Sequence, residues 1–416
     1  MNVKDVASAS RSNDTLLYMV AAGSFGGALL GPLLPLLIVF AGTLPPSSPR
    51  VGVVFAATIA GLIALALAVS VVGLAARGIQ RFPRELWWPI GALFGSQLLA
   101  FCLAVNPPAG IFSILCTAGG IIMMVASVEA LAHGPLRRAF LACYFVSALA
   151  ATLFALALAI MRVPPAMFAY EHGRASGTFL QPNEFAGYLL FVVPLGLAQV
   201  AAPRWLRLLG LTTAATAVAG LLFSVSRAAI LSLAAGLTLF VRRFGTRAVL
   251  AYGLAAIIAL VATATVFRNV AHDPSENASR ILVWEGSLRL AQRFALTGVG
   301  PFGFHLAYPS FKLPSATVDE PHAHSLPLHI LIEDGIAGVL GFVWFVVAAI
   351  RQAARAGAAI PRSDRERTLL FAALAAAFAA SALQNLVDVV TTFLLIVAWP
   401  MLGLMLSLGA PEDAVR

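Results

Sequence analysis

The stretch DEPHAHSLPLHILIEDG, at residues 319–335, combines histidines and carboxylates just before a long apolar run. Its histidines are His322, His324 and His329. Imidazole can bind a metal ion, move a proton near neutral pH or cap a helix. Further metal ligands would have to come from His272, His305 or Asp319. Because no compact zinc spacing appears, the pattern favours catalysis or substrate binding without a metal, and helix capping is the structural alternative.

Three arginines lie in short polar stretches between apolar runs. They are Arg174 in GRASGTFLQPNEF, Arg227 in FSVSRAAI and Arg280 in NASRILVW. A guanidinium at a membrane margin is costly unless it is paired, and its planar fork matches two phosphate oxygens. Each arginine alone could reach the interface or pair with a carboxylate. Together they predict a site for an anion such as a diphosphate.

The local sequence indicates how the histidines are positioned. Ser325 and Pro327 are typical of a helix start, which places His324 at the mouth of the next span. The partial positive charge of a helix N-terminus disfavours imidazolium, so we expect His324 to be neutral, as a general base requires. His329 and Glu333 are four residues apart and share a helix face, where they can form a buried pair.

The composition of the chain indicates the kind of protein in which this stretch lies. The 416 residues are 60% hydrophobic and only 11% charged, and the mean hydropathy is +0.91. A soluble fold could not bury so much apolar surface, so we predict an all-α polytopic membrane protein. The net charge of +9 is spread over many short loops, which favours membrane topology over nucleic-acid binding.

Apolar runs divide the chain into about twelve predicted spans. They lie at about 16–41, 51–76, 86–105, 109–132, 138–161, 184–202, 205–224, 228–241, 247–267, 326–350, 368–386 and 390–409. Most of the 27 basic residues fall on one side if both termini are cytoplasmic. Residues 1–416 then form one membrane domain with two notable outside loops, 162–183 and, between the ninth and tenth spans, 268–325.

The large loop contains GVGPFG, which fits the pattern G-x-G-x-x-G at Gly298, Gly300 and Gly303. A dinucleotide site needs this pattern between a strand and a helix. Here it lies between membrane spans and is interrupted by Pro301. The sequence therefore predicts a tight turn that shapes the loop, and no cofactor.

Several short motifs, in order, resemble the superfamily of O-antigen ligases and O-antigen polymerases, bacterial inner-membrane glycan transferases. The motifs are RASGTFLQPNEFAGYL at 174–189, SRAA at 226–229, SRILVWEGSLRL with TGVGPFGF at 279–304, and HAHSLPLHILIEDGIAGVLGF at 322–342. The resemblance covers roughly residues 170 to 342, and the other spans resemble the family only in hydropathy. It implies a metal-independent membrane fold of the GT-C type.

The resemblance also implies roles for individual residues. The ligase pattern of histidine, then Asn, Ser or Gln, nine residues and glycine is met by His324, Ser325 and Gly335. This pattern makes His324 the catalytic base. Arg174 and Arg280, with Arg227 as a third, would bind the lipid diphosphate. His322 and Glu333 are supporting residues. The extended ligase pattern has further glycines, whereas Gly338 is followed here by valine and leucine.

The implied reaction transfers a glycan from undecaprenyl diphosphate to a sugar hydroxyl at the periplasmic face, with inversion. Lipid A core as the acceptor would make the protein a ligase, and a second lipid-linked repeat would make it a polymerase. A flippase of lipid-linked glycans is the alternative from another class. A flippase should carry ionisable or broken-helix sites near the midplane, whereas the polar residues here gather at the outside end.

Overall fold

The computed structural model describes residues 3–33, 50–163, 173–179, 181–267, 275–316 and 319–411. Over these residues the chain is helical and has no β-strand. The long helices are α1 (Val3–Leu30), α2 (Arg50–Arg77), α3 (Trp87–Cys102), α4 (Pro107–Ala130), α5 (Gly134–Ile160), α6 (Pro182–Ala198), α7 (Arg204–Ser224), α8 (Arg227–Val241), α9 (Thr246–Phe267), α10 (Ser275–Phe294), α11 (Leu326–Ala359), α12 (Arg365–Gln384) and α13 (Thr391–Ser407).

Each of the twelve predicted apolar runs overlaps one of these helices, and α10 lies within the predicted large loop. Among the described residues, eight helices are long and apolar enough to cross a membrane. Helices α3 and α8 have 16 and 15 residues, fewer than the roughly 20 that a bilayer core requires. The all-helical membrane class is therefore confirmed, whereas the count of twelve spans stays a prediction.

Helix α6 lies at the centre of the bundle. Within its span, 83% of the residues are buried inside the protein, compared with 28% for both α2 and α11. The outer helices instead expose large apolar side chains, including Leu65 on α2 and Leu340 on α11. In lipid such side chains need no protein cover, because the backbone of a helix satisfies its own hydrogen bonds. The exposed apolar surface therefore indicates contact with lipid.

The bundle has two distinct ends. We call the end at which α12 finishes and α11 begins the loop end, because α10 packs beside α11 there. At the opposite end, Arg138 of α5 makes a two-pronged ion pair with Glu366 of α12, with N···O distances of 3.1 and 2.8 Å. Helix α12 runs between the ends and packs against α6 and α8.

Helix α11 is broken at Gly335, which has φ of +66° and ψ of −169°. This backbone region is essentially restricted to glycine. The break frees carbonyls of the preceding turn: Ile332 accepts from Val299, and Glu333 accepts from Gly300, at 2.8 and 3.0 Å. A Cβ on Gly335 would lie 2.8 Å from the carbonyl oxygen of Leu296. Gly335, which nine residues separate from Ser325, thus joins α11 to the loop.

Candidate active site

The backbone of His324 is fixed immediately before α11. Its φ of +48° is left-handed, which is uncommon for a non-glycine residue. Its carbonyl accepts a hydrogen bond from Nε1 of Trp284 on α10, at 3.2 Å. Ser325 precedes the helix and Pro327 lies in its first turn, as predicted, but the Ser325 side chain makes no cap hydrogen bond. His324 therefore lies at the helix mouth and is held from α10.

The turn between α12 and α13 lies beside that mouth. The carbonyl of Asn385 accepts from the N–H of Leu326, at 2.8 Å, and so ties the end of α12 to the start of α11. The Asn385 side chain accepts from Val390, while Asp388 accepts from Val389, at 3.0 and 2.9 Å. These bonds build a tight turn that directs the Asp388 carboxylate toward His324.

Both ring nitrogens of His324 face carboxylates. Nδ1 lies 3.2 Å from Oδ1 of Asp388, and Nε2 lies 3.4 Å from Oε2 of Glu320. On the far side of Asp388, Nη2 of Arg280 lies 3.7 Å from Oδ2, and Nη1 donates to the carbonyl of Val387. We call His324, Asp388, Glu320 and Arg280 the histidine cluster.

The charges of this cluster contradict the expectation of a neutral His324. Burial alone lowers the pKa of His324, but the hydrogen bonds with Asp388 and Glu320 outweigh it and raise the pKa to about 9. Burial raises the pKa of Asp388, but the hydrogen bond from His324 and nearby positive charges lower it to about 2. The N-terminus of α11 favours neutral imidazole by a small amount, whereas two adjacent carboxylates favour imidazolium more strongly. His324 is a cation at neutral pH.

His322 differs in charge from His324, although their ring centroids are only 4.4 Å apart. Burial and the neighbouring charge of His324 lower the pKa of His322 to about 3, so this ring is neutral. Its buried Nδ1 has no hydrogen-bond partner among the described residues. His322 is therefore the neutral imidazole of the pair.

Three of these side chains could also approach a metal ion. His322, His324 and Asp388 each offer one ligand atom, and these atoms lie within 4.8 Å of one another. The sequence had pointed instead to His305 and Asp319 as additional ligands. In the structure, His305 packs on the ring of Phe302 and Asp319 pairs with Lys312, while His272 lies outside the described residues. The absence of a metal stays a prediction.

The three predicted arginines all lie at the loop end, in two locations. Arg280 belongs to the histidine cluster. Arg174 donates from Nε to the carbonyl of Ser224, at 3.0 Å, and Arg227 begins the next helix three residues further on. Arg174 and Arg227 therefore share one corner of the bundle, while Arg280 lies directly beside His324 and Asp388.

Glu333 has a second partner besides the one predicted. Its Oε1 lies 3.6 Å from Nε2 of His329, so the expected pair forms within α11. Its carboxylate also accepts the backbone N–H groups of Phe302 and Phe304, at 2.9 and 3.1 Å. These residues belong to or follow GVGPFG, in which Gly298 and Gly300 have positive φ. The motif is a turn, as predicted, and Glu333 holds that turn against α11.

Sequence reasoning missed Asp388 and Glu320. Neither residue was singled out among the candidate site residues. The predicted topology contained a usable signal, because it placed Asp388, an isolated carboxylate between apolar spans, on the same side as His324. Contact between the two depends on how α11 and α12 pack, and a single sequence does not encode this in any local pattern.

Comparison with known proteins finds one family that resembles part of the chain. Residues 212–343 match a family model described as O-Antigen ligase. No curated protein matches the chain. The matched segment covers about a third of the sequence and includes Arg227, Arg280, Glu320, His324 and Gly335. Members of this family are membrane glycosyltransferase-like enzymes. Over this segment the match supports the predicted resemblance to the O-antigen ligase superfamily.

Proposed function

We propose that the protein transfers a glycan from undecaprenyl diphosphate to a sugar hydroxyl, as an O-antigen ligase whose acceptor is lipid A core. Residues 1–416 form one membrane domain of the GT-C type in the bacterial inner membrane, with both termini in the cytoplasm and the loop end in the periplasm. The donor enters from the bilayer. The observation that carries this proposal is the histidine cluster itself, in which Arg280, Asp388 and His324 meet at the mouth of α11.

The arginines bind the lipid diphosphate. Arg280 is only loosely engaged by Asp388, at 3.7 Å, and its side chain is 29% exposed, so part of its donor fork can meet phosphate oxygens. Arg174 and Arg227 supply positive charge from the neighbouring corner. The negative charge on the diphosphate grows as the bond to the sugar breaks. Contacts to the phosphates therefore strengthen in the transition state and accelerate the reaction.

The histidine cluster handles the proton. The acceptor hydroxyl attacks the anomeric carbon, the bond from that carbon to the diphosphate oxygen breaks, and its electron pair leaves with the lipid diphosphate. The hydroxyl proton passes to the cluster, and a single displacement inverts the anomeric centre. Because the diphosphate is already a good leaving group, no general acid is required. His322 orients the acceptor sugar, and Glu333 keeps the GVGPFG turn in place.

Substitution of His324 tests the proposal. We expect His324→Ala to lower the transfer rate by about 10²–10⁴-fold, the contribution typical of a group that assists proton transfer. Purified protein is incubated with undecaprenyl-diphosphate-linked glycan and lipid A core, and the product is measured by mass spectrometry. Normal yield and donor binding by the variant serve as the control. Wild-type transfer by His324→Ala would remove the cluster from the reaction.

The same assay separates the alternative functions. If the wild-type protein joins two lipid-linked repeats and leaves lipid A core untouched, it is a polymerase. Movement of the donor across a vesicle bilayer without a covalent product would support the flippase and contradict glycan transfer.

A further inference from the structure

Three side chains at the mouth of α11 lie close enough together to bind one metal ion. His322, His324 and Asp388 each offer one ligand atom, and these atoms lie within 4.8 Å of one another. Two ligands of a tetrahedral zinc ion, each about 2.0–2.2 Å from the metal, are roughly 3.3 Å apart. Nδ1 of His324 lies 3.2 Å from Oδ1 of Asp388, so this pair already has the required separation. Since no pair exceeds 4.8 Å, a shift of roughly 1.5 Å or less brings His322 into place.

Two buried atoms of these side chains lack a partner. Nδ1 of His322 and Oδ2 of Asp388 make no hydrogen bond within the part of the chain that the structure describes. Nη2 of Arg280 is 3.7 Å from Oδ2, which is beyond hydrogen-bond distance. Buried polar atoms are normally satisfied, so both atoms point to a ligand. A single cation bound by the three side chains would satisfy them, and it needs far less space than a sugar.

Glu320 supports the site from the solvent side. Its Oε2 lies 3.4 Å from Nε2 of His324, while Asp388 faces the other ring nitrogen. A histidine that binds zinc through one nitrogen usually donates its other N–H to a carboxylate, which fixes the ring. Side-chain exposure rises from 3% at Asp388 to 14% at His324 and 22% at Glu320, so an ion can enter from solvent past Glu320.

The ligand atoms determine which ions fit. Imidazole nitrogen suits Zn²⁺ and other divalent transition metals, whereas Mg²⁺ and Ca²⁺ prefer oxygen ligands. The carboxylates of Asp388 and Glu320 offset the two positive charges of the ion, but the guanidinium of Arg280 opposes them. We therefore expect Zn²⁺ to bind more weakly than in a structural zinc site and to leave when a chelator is added.

We propose that His322, His324 and Asp388 form an inhibitory zinc site. Zn²⁺ replaces the proton on His324, which is released on binding, and holds Asp388 at the same time. The ion thereby blocks the groups that handle the acceptor proton. The inhibitory effect rests on the proposed function, whereas binding of the ion does not. Transfer itself proceeds without a metal, as the resemblance implies.

Direct binding is the first test. The protein is purified without a polyhistidine tag, treated with a chelator and then titrated with Zn²⁺ by isothermal titration calorimetry. We expect one Zn²⁺ to bind per molecule and its release when the chelator is added again. Mg²⁺ at the same concentrations is the matched control ion and should not bind. Absence of Zn²⁺ binding, or equal binding of Mg²⁺, would overturn the inference.

Substitution of a ligand locates the ion. His322→Gln should weaken Zn²⁺ binding by more than about 10²-fold, because loss of an outer-shell partner alone costs about 10–100-fold. His305→Gln is the matched control: His305 also lies at the loop end, but it packs on Phe302, so this variant should bind Zn²⁺ as the wild type does. Asp388→Asn removes a second ligand in case His322→Gln fails to fold, as judged by thermal unfolding. Wild-type affinity in a folded ligand variant would overturn the site.

Glycan transfer from the undecaprenyl-diphosphate-linked donor to lipid A core gives the functional readout. Saturating Zn²⁺ should lower kcat of the wild type toward that of His324→Ala, about 10²–10⁴-fold below normal, and a chelator should restore it. Half-inhibition should occur near the Kd from calorimetry, and His305→Gln should behave as the wild type does. Zn²⁺ that binds but leaves kcat unchanged, or raises it, would overturn the inhibitory role. A wild-type protein that binds Zn²⁺ here but transfers no glycan would overturn the proposed function and leave the zinc site intact.

Discussion

The two ends of the bundle hold buried carboxylates in different ways. At the opposite end, one oxygen of Glu129 accepts the backbone N–H groups of Gln80, Arg81 and Phe82, at 2.7 to 3.1 Å. At the loop end, Asp388 accepts one backbone N–H, from Val389, but it also faces the side chains of His324 and Arg280. Backbone N–H groups cannot change charge, whereas an imidazole can gain or lose a proton and a guanidinium can turn to a new anion. A carboxylate with backbone partners fixes structure, and one with ionisable side-chain partners can take part in chemistry.

The opposite end also contains ion pairs between side chains, and one of them joins structural elements. At the opposite end, Asp364 accepts both the backbone N–H and the Nε–H of Arg367, and Nη1 of Arg367 also donates to the carbonyl of Ala410. These bonds join α12 to the residues that follow α13. In the histidine cluster, the contacts are longer and converge on one imidazole. The substitutions below test whether the two ends differ in function as they do in geometry.

The largest effect on activity is expected from Asp388→Asn. The amide keeps the size of the side chain but removes the charge that holds His324 as a cation, so the pKa of His324 should fall. We expect kcat for glycan transfer to drop by about 10²–10⁴-fold while the protein still folds. Mass-spectrometric rate measurements and thermal unfolding check the two parts. An unchanged kcat would remove the distinction between the two ends.

For Glu129→Ala we expect a loss of thermal stability without a loss of catalytic activity. Removal of this carboxylate leaves three N–H groups without their acceptor, and for the buried N–H of Phe82 this loss costs about 1–3 kcal/mol. The midpoint of thermal unfolding should therefore fall clearly, while kcat per folded molecule is retained. The exposed Glu85, which pairs with Arg355, provides the control, because Glu85→Ala should leave stability nearly unchanged. A loss of kcat in folded Glu129→Ala would show that the opposite end contributes to transfer.

Gly335→Ala should impair both properties, because the break in α11 connects structure to the site. Alanine pays a strain of about 1–3 kcal/mol in this backbone region, and its Cβ would crowd the carbonyl of Leu296. The turn at 298–303 should loosen, so we expect lower thermal stability and lower kcat. Gly91→Ala is the matched control, since a Cβ at Gly91 meets no atom within 4 Å. Equal behaviour of the two variants would mean that the break is not needed.

The sequence predicted the helices better than the site because the two depend on different information. Apolar length alone places the helices, and the mouth of α11 could be located from Ser325 and Pro327. His324 and Arg280 were singled out from their residue types and positions, and the motif resemblance implied their roles. Asp388 was missed because its role arises from a contact with His324, which lies 64 residues away along the chain. Glu320 lies four residues before His324 in a non-helical segment, where that spacing predicts no contact. The charge of His324 was wrong for the same reason, since the local helix terminus was known and the distant carboxylate was not.

The smallest effect on activity is expected from substitution of an arginine, and its size should differ between Arg138 and Arg280. Arg138 pairs with Glu366 at the opposite end, where its side chain is 39% exposed, so Arg138→Ala should cost at most about 1 kcal/mol and leave transfer unchanged. Arg280→Ala should fold equally well but raise KM for the undecaprenyl-diphosphate-linked donor, because its guanidinium is assigned to the diphosphate. Donor titrations of both variants make the comparison. If KM rises equally in both, the effect reflects general charge, and Arg280 loses its assignment to the anion site.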